Sequence, residues 1–205
     1  MGEEVNLLRN YPVSKRDVNS RANEKTEEDR RIARKFEFDF FDGDRRHGYG
    51  GYSYNEKFWA PVIPDFIKYY KLKENSSILD VGSGKGFMLY EFSKFLPNAK
   101  LRGIDISKYA YENSLPDIRQ YLDIGSAHEL PYEDNTFDLV VSIVTLHNLN
   151  REECGKALSE MCRVSKRNAF ITLDSYSNEK EKKMMEAWNL TAKTMMHVNE
   201  WVKFF

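Results

Sequence analysis

Between Asp80 and Gly86 the chain reads DVGSGKG, an acid followed by glycines at 82, 84 and 86. Glycine reaches backbone conformations closed to other residues and lets a ligand approach the main chain closely. A turn of this kind at a helix N-terminus suits a polar or anionic group. A phosphate loop needs G-x-x-x-x-G-K-[ST]. Lys85 does follow Gly84, but Leu79 and Gly86 stand where that motif wants Gly and Ser/Thr. The dinucleotide fingerprint G-x-G-x-x-G has its third glycine one residue later, where this chain has Phe87. A second acid, Asp105, closes the apolar stretch LRGIDI. It lies about 20 residues past the turn, the spacing at which a nucleotide-binding fold sets a carboxylate on ribose hydroxyls. A carboxylate can accept two O–H groups at once.

These residues need a strand, a turn and a helix to hold them. Ile78, Leu79 and Val81 suit a buried parallel strand. Met88, Leu89, Phe92, Phe95 and Leu96 recur at helical spacing and predict one apolar helix face. Further strands are expected at 101–106, 121–125, 139–144 and 168–173, alternating with helices. Ser107 is expected to cap a short helix, and Asn150 with Glu153 to form a capping box ahead of another. The pattern predicts an α/β fold with a doubly wound, mostly parallel sheet.

The D-x-G-x-G-x-G turn, Asp105, and the stretch SAHELPYEDNTFDLVV from Ser126 to Val141 together resemble the class I S-adenosylmethionine (SAM) methyltransferases, of a small-molecule kind similar to the ubiquinone/menaquinone-biosynthesis enzymes. The resemblance implies a Rossmann-like fold and SAM as methyl donor, with S-adenosylhomocysteine as product. It implies donor contacts at Asp80, Gly82, Ser83, Gly84, Gly86, Asp105, Ile106, Ser126, Ala127, His128 and Thr145. Ser126 departs from the family's usual acid and would bind adenine more weakly. Asp138 reads as structural. After the fourth strand the chain has TLHN, without an NPPY-type motif. There His147 is the candidate general base; the alternative is a shaping role. Asp174 and Tyr176 are expected near the acceptor.

Residues 1–54 read as an N-terminal arm and lid, and 55–205 as the SAM-binding domain. Thr26 is expected to cap a short helix in the arm. The segment from Phe36 to Tyr54 is aromatic and glycine-rich, and suits a lid with Tyr49 and Tyr52 facing the acceptor; a packing arm is the alternative. Arg45 and Arg46 could grip a phosphate or carboxylate there. A helix is expected from Phe58 to Tyr70, and a long amphipathic one from Lys180 to Met196. The sequence stops where the family's sheet continues with two more strands. Either the sheet ends at five strands or its edge is covered by the N-terminal arm or another chain; an open edge would favour pairing of two copies or low stability.

The 205 residues suffice for one full core, and 41% are hydrophobic. A net charge of −1 argues against a broad nucleic-acid face. Cys154 and Cys162 are expected to be buried, small apolar residues on one helix face; no metal site is expected. The sequence shows no signal peptide and no span of membrane length, and Asn6 stands where a myristoylation signal wants Ser or Thr. A cytoplasmic protein is the default. The expected function is methyl transfer to a small molecule; the alternatives are a degenerate SAM-binding module acting with a partner chain and an NAD-dependent dehydrogenase.

Overall fold

The computed structural model describes residues 2–13 and 25–205. The expected frayed start of the arm falls partly on residues 14–24, outside the described residues. Five parallel strands form the sheet: β1 (Ser77–Val81), β2 (Lys100–Asp105), β3 (Leu122–Ile124), β4 (Phe137–Ile143) and β5 (Ser165–Thr172), in the order β3-β2-β1-β4-β5. The order reverses beside β1. In open α/β sheets that switch point, at the carboxyl ends of the strands, is where ligands sit.

Burial follows the two-residue period of the strands. Ile78, Leu139 and Val141 face one layer, against Ile63, Phe66, Leu89 and Phe92. Leu79, Val81 and Val140 face the other, against Ala157, Met161, Val164 and Trp201. The first layer is built by α4 (Ile63–Tyr70) and α5 (Phe87–Phe95), the second by α8 (Arg151–Val164) and α10 (Val198–Phe204). Phe95 departs from the expected buried face of α5 and is exposed, whereas Met88, Leu89, Phe92 and Leu96 are buried. Cys154 is fully buried, but Cys162 is exposed. Eight residues turn a helix by about 80° past two full turns, enough to carry Cys162 off the core.

The N-terminal part folds onto the core. Thr26 caps α1 (Glu27–Ala33) through a capping box with Asp29. The short α2 (Phe38–Phe41) opens the aromatic segment. Leu7 is buried in the first layer, and Tyr11 packs edge-on to Trp59 at 5.0 Å. The helix expected over 58–70 is two pieces, α3 (Glu56–Trp59) and α4, because prolines 61 and 64 cannot continue a helical hydrogen-bond ladder. α6 (Lys108–Glu112), capped by Ser107, and α7 (Pro116–Arg119) lead from β2 to β3. Asp138 is structural: it accepts from the Ser77 amide and hydroxyl at 2.8 and 2.9 Å and from Lys166 at 2.9 Å, joining three strands at their amino ends.

The long helix expected to reach Met196 stops at Trp188; α9 spans Glu179–Trp188. Asn189 ends it. Its side chain accepts from the Thr191 and Ala192 amides and donates to the Ala192 carbonyl, an alternative to the helical ladder. The chain then returns to the sheet's carboxyl edge, where the Lys193 and Thr194 amides donate to the His147 carbonyl. β7 (Met196–His197) pairs with β6 (Ser175–Tyr176) as a separate small ladder. No helix among the described residues is long and apolar enough to cross a membrane.

Candidate active site

At the carboxyl ends of β1, β2 and β4 lies a cleft of about 530 Å³, within the range of small-molecule sites. The glycine turn forms its floor. Gly82, Gly84 and Gly86 all have positive φ (82°, 53° and 75°). A Cβ at Gly82 would fall 2.2–2.6 Å from the Thr145 side chain. Gly86 lies elsewhere: a Cβ there would meet Leu122 and Ile118, so this glycine lets α5 pack on the sheet. Four amides of the turn are already engaged within the protein. The Gly82 and Ser83 amides donate to the Ile104 carbonyl, the Gly84 amide to Asp105 Oδ2 at 2.7 Å, and the Gly86 amide to the Ser83 carbonyl. The loop needs these bonds because its backbone is buried.

The two acids sit side by side. Asp105 Oδ1 also accepts from the Ser107 amide at 2.8 Å. Each oxygen keeps acceptor capacity for a ligand hydroxyl. Burial raises the Asp105 carboxyl above its ordinary value, against the pull of these amides. Asp80 is only 5% exposed, and its side chain has no hydrogen bond or ion pair among the described residues. Burial, with the neighbouring Asp105 charge, pushes it up to about 7. A buried carboxyl without a partner is costly in its ionised form. The cleft therefore favours a ligand that brings a positive charge. Ser83 Oγ and Asn148 Oδ1, both lining the cleft, are buried without hydrogen-bond partners among the described residues.

Ile106 and Ala127 also line the cleft, and Ile106 is 62% exposed. Ser126 lines it with its hydroxyl 2.8 Å from His128 Nδ1, so His128 reaches the site through Ser126. Val144, directly after β4, has φ 52°, a conformation rare for a β-branched residue. Its amide is held by the Thr172 carbonyl at 3.0 Å. Val144→Gly is expected to stabilise the fold by about 1 kcal/mol, the relieved strain exceeding the entropy glycine adds to the unfolded chain. Urea unfolding measures it; a loss of stability would mean that Val144 packing outweighs strain.

His147 is buried, and the Asp174 amide donates to its Nδ1 at 3.3 Å. Nε2 lies 3.6 Å from Asp174 Oδ2. Burial pulls the imidazole below its usual range, partly offset by Asp174. In the neutral ring the proton is then on Nε2, and the lone pair on Nδ1 is engaged by a backbone amide. Together with the carbonyl that holds 193–194, this geometry makes His147 a pin for two loops. Asp174 lines the cleft; Tyr176 instead pairs in the β6–β7 ladder.

The aromatic segment lies over the turn. Tyr49 and Tyr52 are 4.4 Å apart between ring centres, Tyr52 packs on Phe87 at 4.9 Å, and both line the cleft. Burial raises both phenols, Tyr49 to about 12, so they stay protonated at neutral pH. The fastening of this segment was not foreseen. Lys85, 5% exposed, donates to Asp42 Oδ2 at 2.6 Å and to the Tyr52 carbonyl at 2.8 Å. Asp42 also accepts from the Tyr52 amide and the Tyr109 hydroxyl. Burial would raise its carboxyl, but these bonds hold it below its ordinary value. A lysine inside the glycine turn, needing a buried partner, was the available signal. Arg45 and Arg46 do not line the cleft: Arg45 donates to the Tyr49 carbonyl, and Arg46 pairs with Asp29 at 2.7 Å.

The family model described as a methyltransferase domain matches residues 72–204. The chain belongs to the class I SAM-dependent methyltransferase family. Among curated relatives, this methyltransferase-family chain is 33% identical over 112 residues to the mitochondrial arginine-hydroxylase NDUFAF5 of Mus musculus, covering 46% of this chain and 32% of that one. It is 31% identical over 145 residues to the tRNA (carboxymethyluridine(34)-5-O)-methyltransferase of Arabidopsis thaliana, covering 69% and 33%. It is 31% identical over 96 residues to a demethylmenaquinone methyltransferase of a Roseiflexus species, covering 45% and 40%. The chain spans about a third of the length of the first two. The family's donor suits the cleft, because SAM carries an ammonium and a sulfonium that an unpaired Asp80 can face and ribose hydroxyls that Asp105 can accept.

Proposed function

We propose that the protein binds SAM in this cleft and transfers its methyl group to a small-molecule acceptor, with residues 1–54 as arm and lid and 55–205 as the donor-binding body. The observation that carries the reading is the unpartnered, buried Asp80 carboxyl beside Asp105 under an aromatic cover. Asp105 takes the ribose hydroxyls, Asp80 and Ser83 the charged methionine end, and Ile106, Ser126 and Ala127 the base. Gly82 and Thr145 shape the floor by their close contact. SAM supplies the electrophilic methyl. A lone pair on the acceptor forms the new bond to carbon as the carbon–sulfur bond breaks, and its electrons stay on sulfur as S-adenosylhomocysteine leaves.

The chain's own contribution is alignment, with reacting atoms held at about 3–3.5 Å, and exclusion of water by Tyr49 and Tyr52. His147 supports this by position; a proton released by the acceptor need not pass through it. A roofed cleft of this size favours a small acceptor over a folded macromolecule. Calorimetric titration with SAM, S-adenosylhomocysteine and NAD tests the donor. The first two are expected to bind and NAD not, with binding lost in Asp105→Ala. Failure of both SAM and S-adenosylhomocysteine to bind would end this reading in favour of a module working with a partner chain.

Pairing of copies would use the outer edge of β5. Arg167 is exposed on that strand, and an edge charge discourages such pairing. Sedimentation tests the expected pairing; a stable monomer would mean that this charge outweighs edge pairing.

A further inference from the structure

The carboxyl edge of the sheet changes sign along its length. Asp105 ends β2 and Asp80 lies in β1, at the end of the cleft proposed above to take the donor. Past β4 the lining of the cleft gains cations beside its remaining acid, Asp174. Arg34, Lys35 and Lys193 line the same cleft, brought there by two segments that meet above His147. The loop after α9 is tied to the His147 carbonyl through the amides of Lys193 and Thr194. Arg34, just after α1, reaches that loop with one long bond, Nη2 to the Ala192 carbonyl at 3.5 Å. Its Nε is buried and has no acceptor among the described residues. A guanidinium offers five donors, and the described residues engage this one through Nη2. Neither Lys35 nor Lys193 has a side-chain hydrogen bond or ion pair among the described residues.

The backbone also holds this group in place. Phe36 has φ 52°, unusual for a bulky side chain, and its carbonyl accepts from the Ser107 hydroxyl. The strained turn fixes the end of α1, and with it Arg34 and Lys35, over the site. Strain of this kind persists where the surroundings impose it and clusters at ligand sites. The surrounding wall is flat and apolar, from Phe36, Phe40, Trp59 and Trp188. The cleft's remaining acid, Asp174, is turned to the His147 ring.

We propose that the methyl acceptor is a small acid, a carboxylate or phosphate on a flat apolar body, gripped by Arg34 with Lys35 and Lys193 in support. This rests on the methyl-transfer reading above and adds the acceptor's chemical class. An arginine fork matches either anion in a bidentate fashion, which a neutral acceptor cannot exploit. The anion is the handle by which the acceptor is held; opposite signs at the two ends of the cleft keep donor and acceptor in their own halves.

The test uses the 205-residue chain saturated with S-adenosylhomocysteine, whose binding is measured first. Benzoate, phenyl phosphate and neutral benzamide are then titrated at two salt concentrations. At least one acid is expected to bind, more weakly at high salt, and benzamide not. Preference for benzoate or for phenyl phosphate identifies the handle as carboxylate or phosphate. Arg34→Gln is expected to weaken the acid by about tenfold or more, the worth of one lost charged hydrogen bond, with S-adenosylhomocysteine affinity retained. Should that variant fold poorly, Lys193→Gln, on an exposed side chain, is expected to weaken the acid about threefold and flatten its salt dependence. Benzamide binding as well as benzoate, no binding of either acid, or unchanged acid affinity in folded Arg34→Gln and Lys193→Gln would overturn the proposal while leaving the donor site standing. If S-adenosylhomocysteine itself does not bind, the methyl-transfer reading fails instead. The acids are then titrated alone, and loss of binding in Arg34→Gln still supports an anion site, whereas no binding overturns it.

Discussion

Asp80→Asn is expected to stabilise the donor-free protein at pH 8 and to weaken SAM binding. In the folded chain the Asp80 carboxyl is raised from 3.8 to about 7. The folded state therefore holds this proton more tightly than the unfolded state does. Its contribution to stability is full below pH 4 and is lost as pH rises to 7. Above pH 7 the folded protein carries a buried, unpaired anion. At about 1.4 kcal/mol for each pH unit between those two values, the loss is about 4 kcal/mol. Asparagine removes the charge but still buries a polar amide, so the gain is smaller, and a rise of several degrees in melting temperature is expected. The advantage of the variant should shrink steadily between pH 7 and 4. Calorimetric melting at pH 8, 6 and 4 measures it, and a variant less stable than wild type at pH 8 would contradict it.

The donor should show the opposite dependence. A cationic ligand holds Asp80 ionised, so wild-type affinity for SAM should fall by up to tenfold per pH unit as pH drops below 7. Asp80→Asn should abolish that slope and bind SAM at least tenfold more weakly at pH 8. S-adenosylhomocysteine, which keeps the ammonium but lacks the sulfonium, should lose less. On the proposed donor site, stability withheld from the free protein at this one carboxyl would be returned when the donor binds, the trade expected where activity requires a destabilised site.

The parts of the molecule that are periodic were readable from the sequence alone. Ile78, Leu79 and Val81 put apolar side chains on both faces of β1 because the strand is central and covered on both sides, as parallel strands flanked by helices are. The caps at Thr26, Ser107 and Asn150 were readable because each satisfies a local rule within three residues. What failed was set at a distance. The apolar spacing past Trp188 continues to suggest a helix, but the contest is decided by Asn189 and by the His147 carbonyl more than 40 residues earlier. The glycine turn was recognisable as a site, yet its amides proved committed to Ile104 and Asp105, partners supplied by the neighbouring strand. Arg34 and Lys193, far apart in sequence, meet only because the loop after α9 turns back. Ordinary cations in ordinary positions carry no pattern that announces such a meeting.

The largest loss of stability is expected at Asp42, the acid that fastens the aromatic segment to the glycine turn. Asp42→Ala leaves the Lys85 ammonium, 5% exposed, with the Tyr52 carbonyl as its remaining hydrogen-bond acceptor. It also leaves the Tyr52 amide and the Tyr109 hydroxyl without their acceptor. Breaking a buried pair from one side costs roughly 3–5 kcal/mol, more than removing both charges together. Because the Asp42 side chain is 25% exposed, the lower end, about 3 kcal/mol, is expected. Asp42→Ala with Lys85→Met should therefore be more stable than Asp42→Ala alone, although it carries one more substitution. Urea unfolding of the two single variants and the double gives the coupling directly. A double variant whose loss equals the sum of the singles would show that Lys85 and Asp42 act independently. The double variant also separates fastening from folding. Its core keeps Asp80, Asp105 and the glycines, but Tyr49 and Tyr52 are no longer tied to the turn. Hydrogen exchange should then quicken across residues 36–54 while the amides of β1 and β4 stay protected. Donor affinity should fall, because the cover that excludes water must be ordered at each binding event. Unchanged exchange in that segment would mean that the aromatic contacts among Phe41, Tyr49, Tyr52 and Phe87 hold the cover without the ion pair.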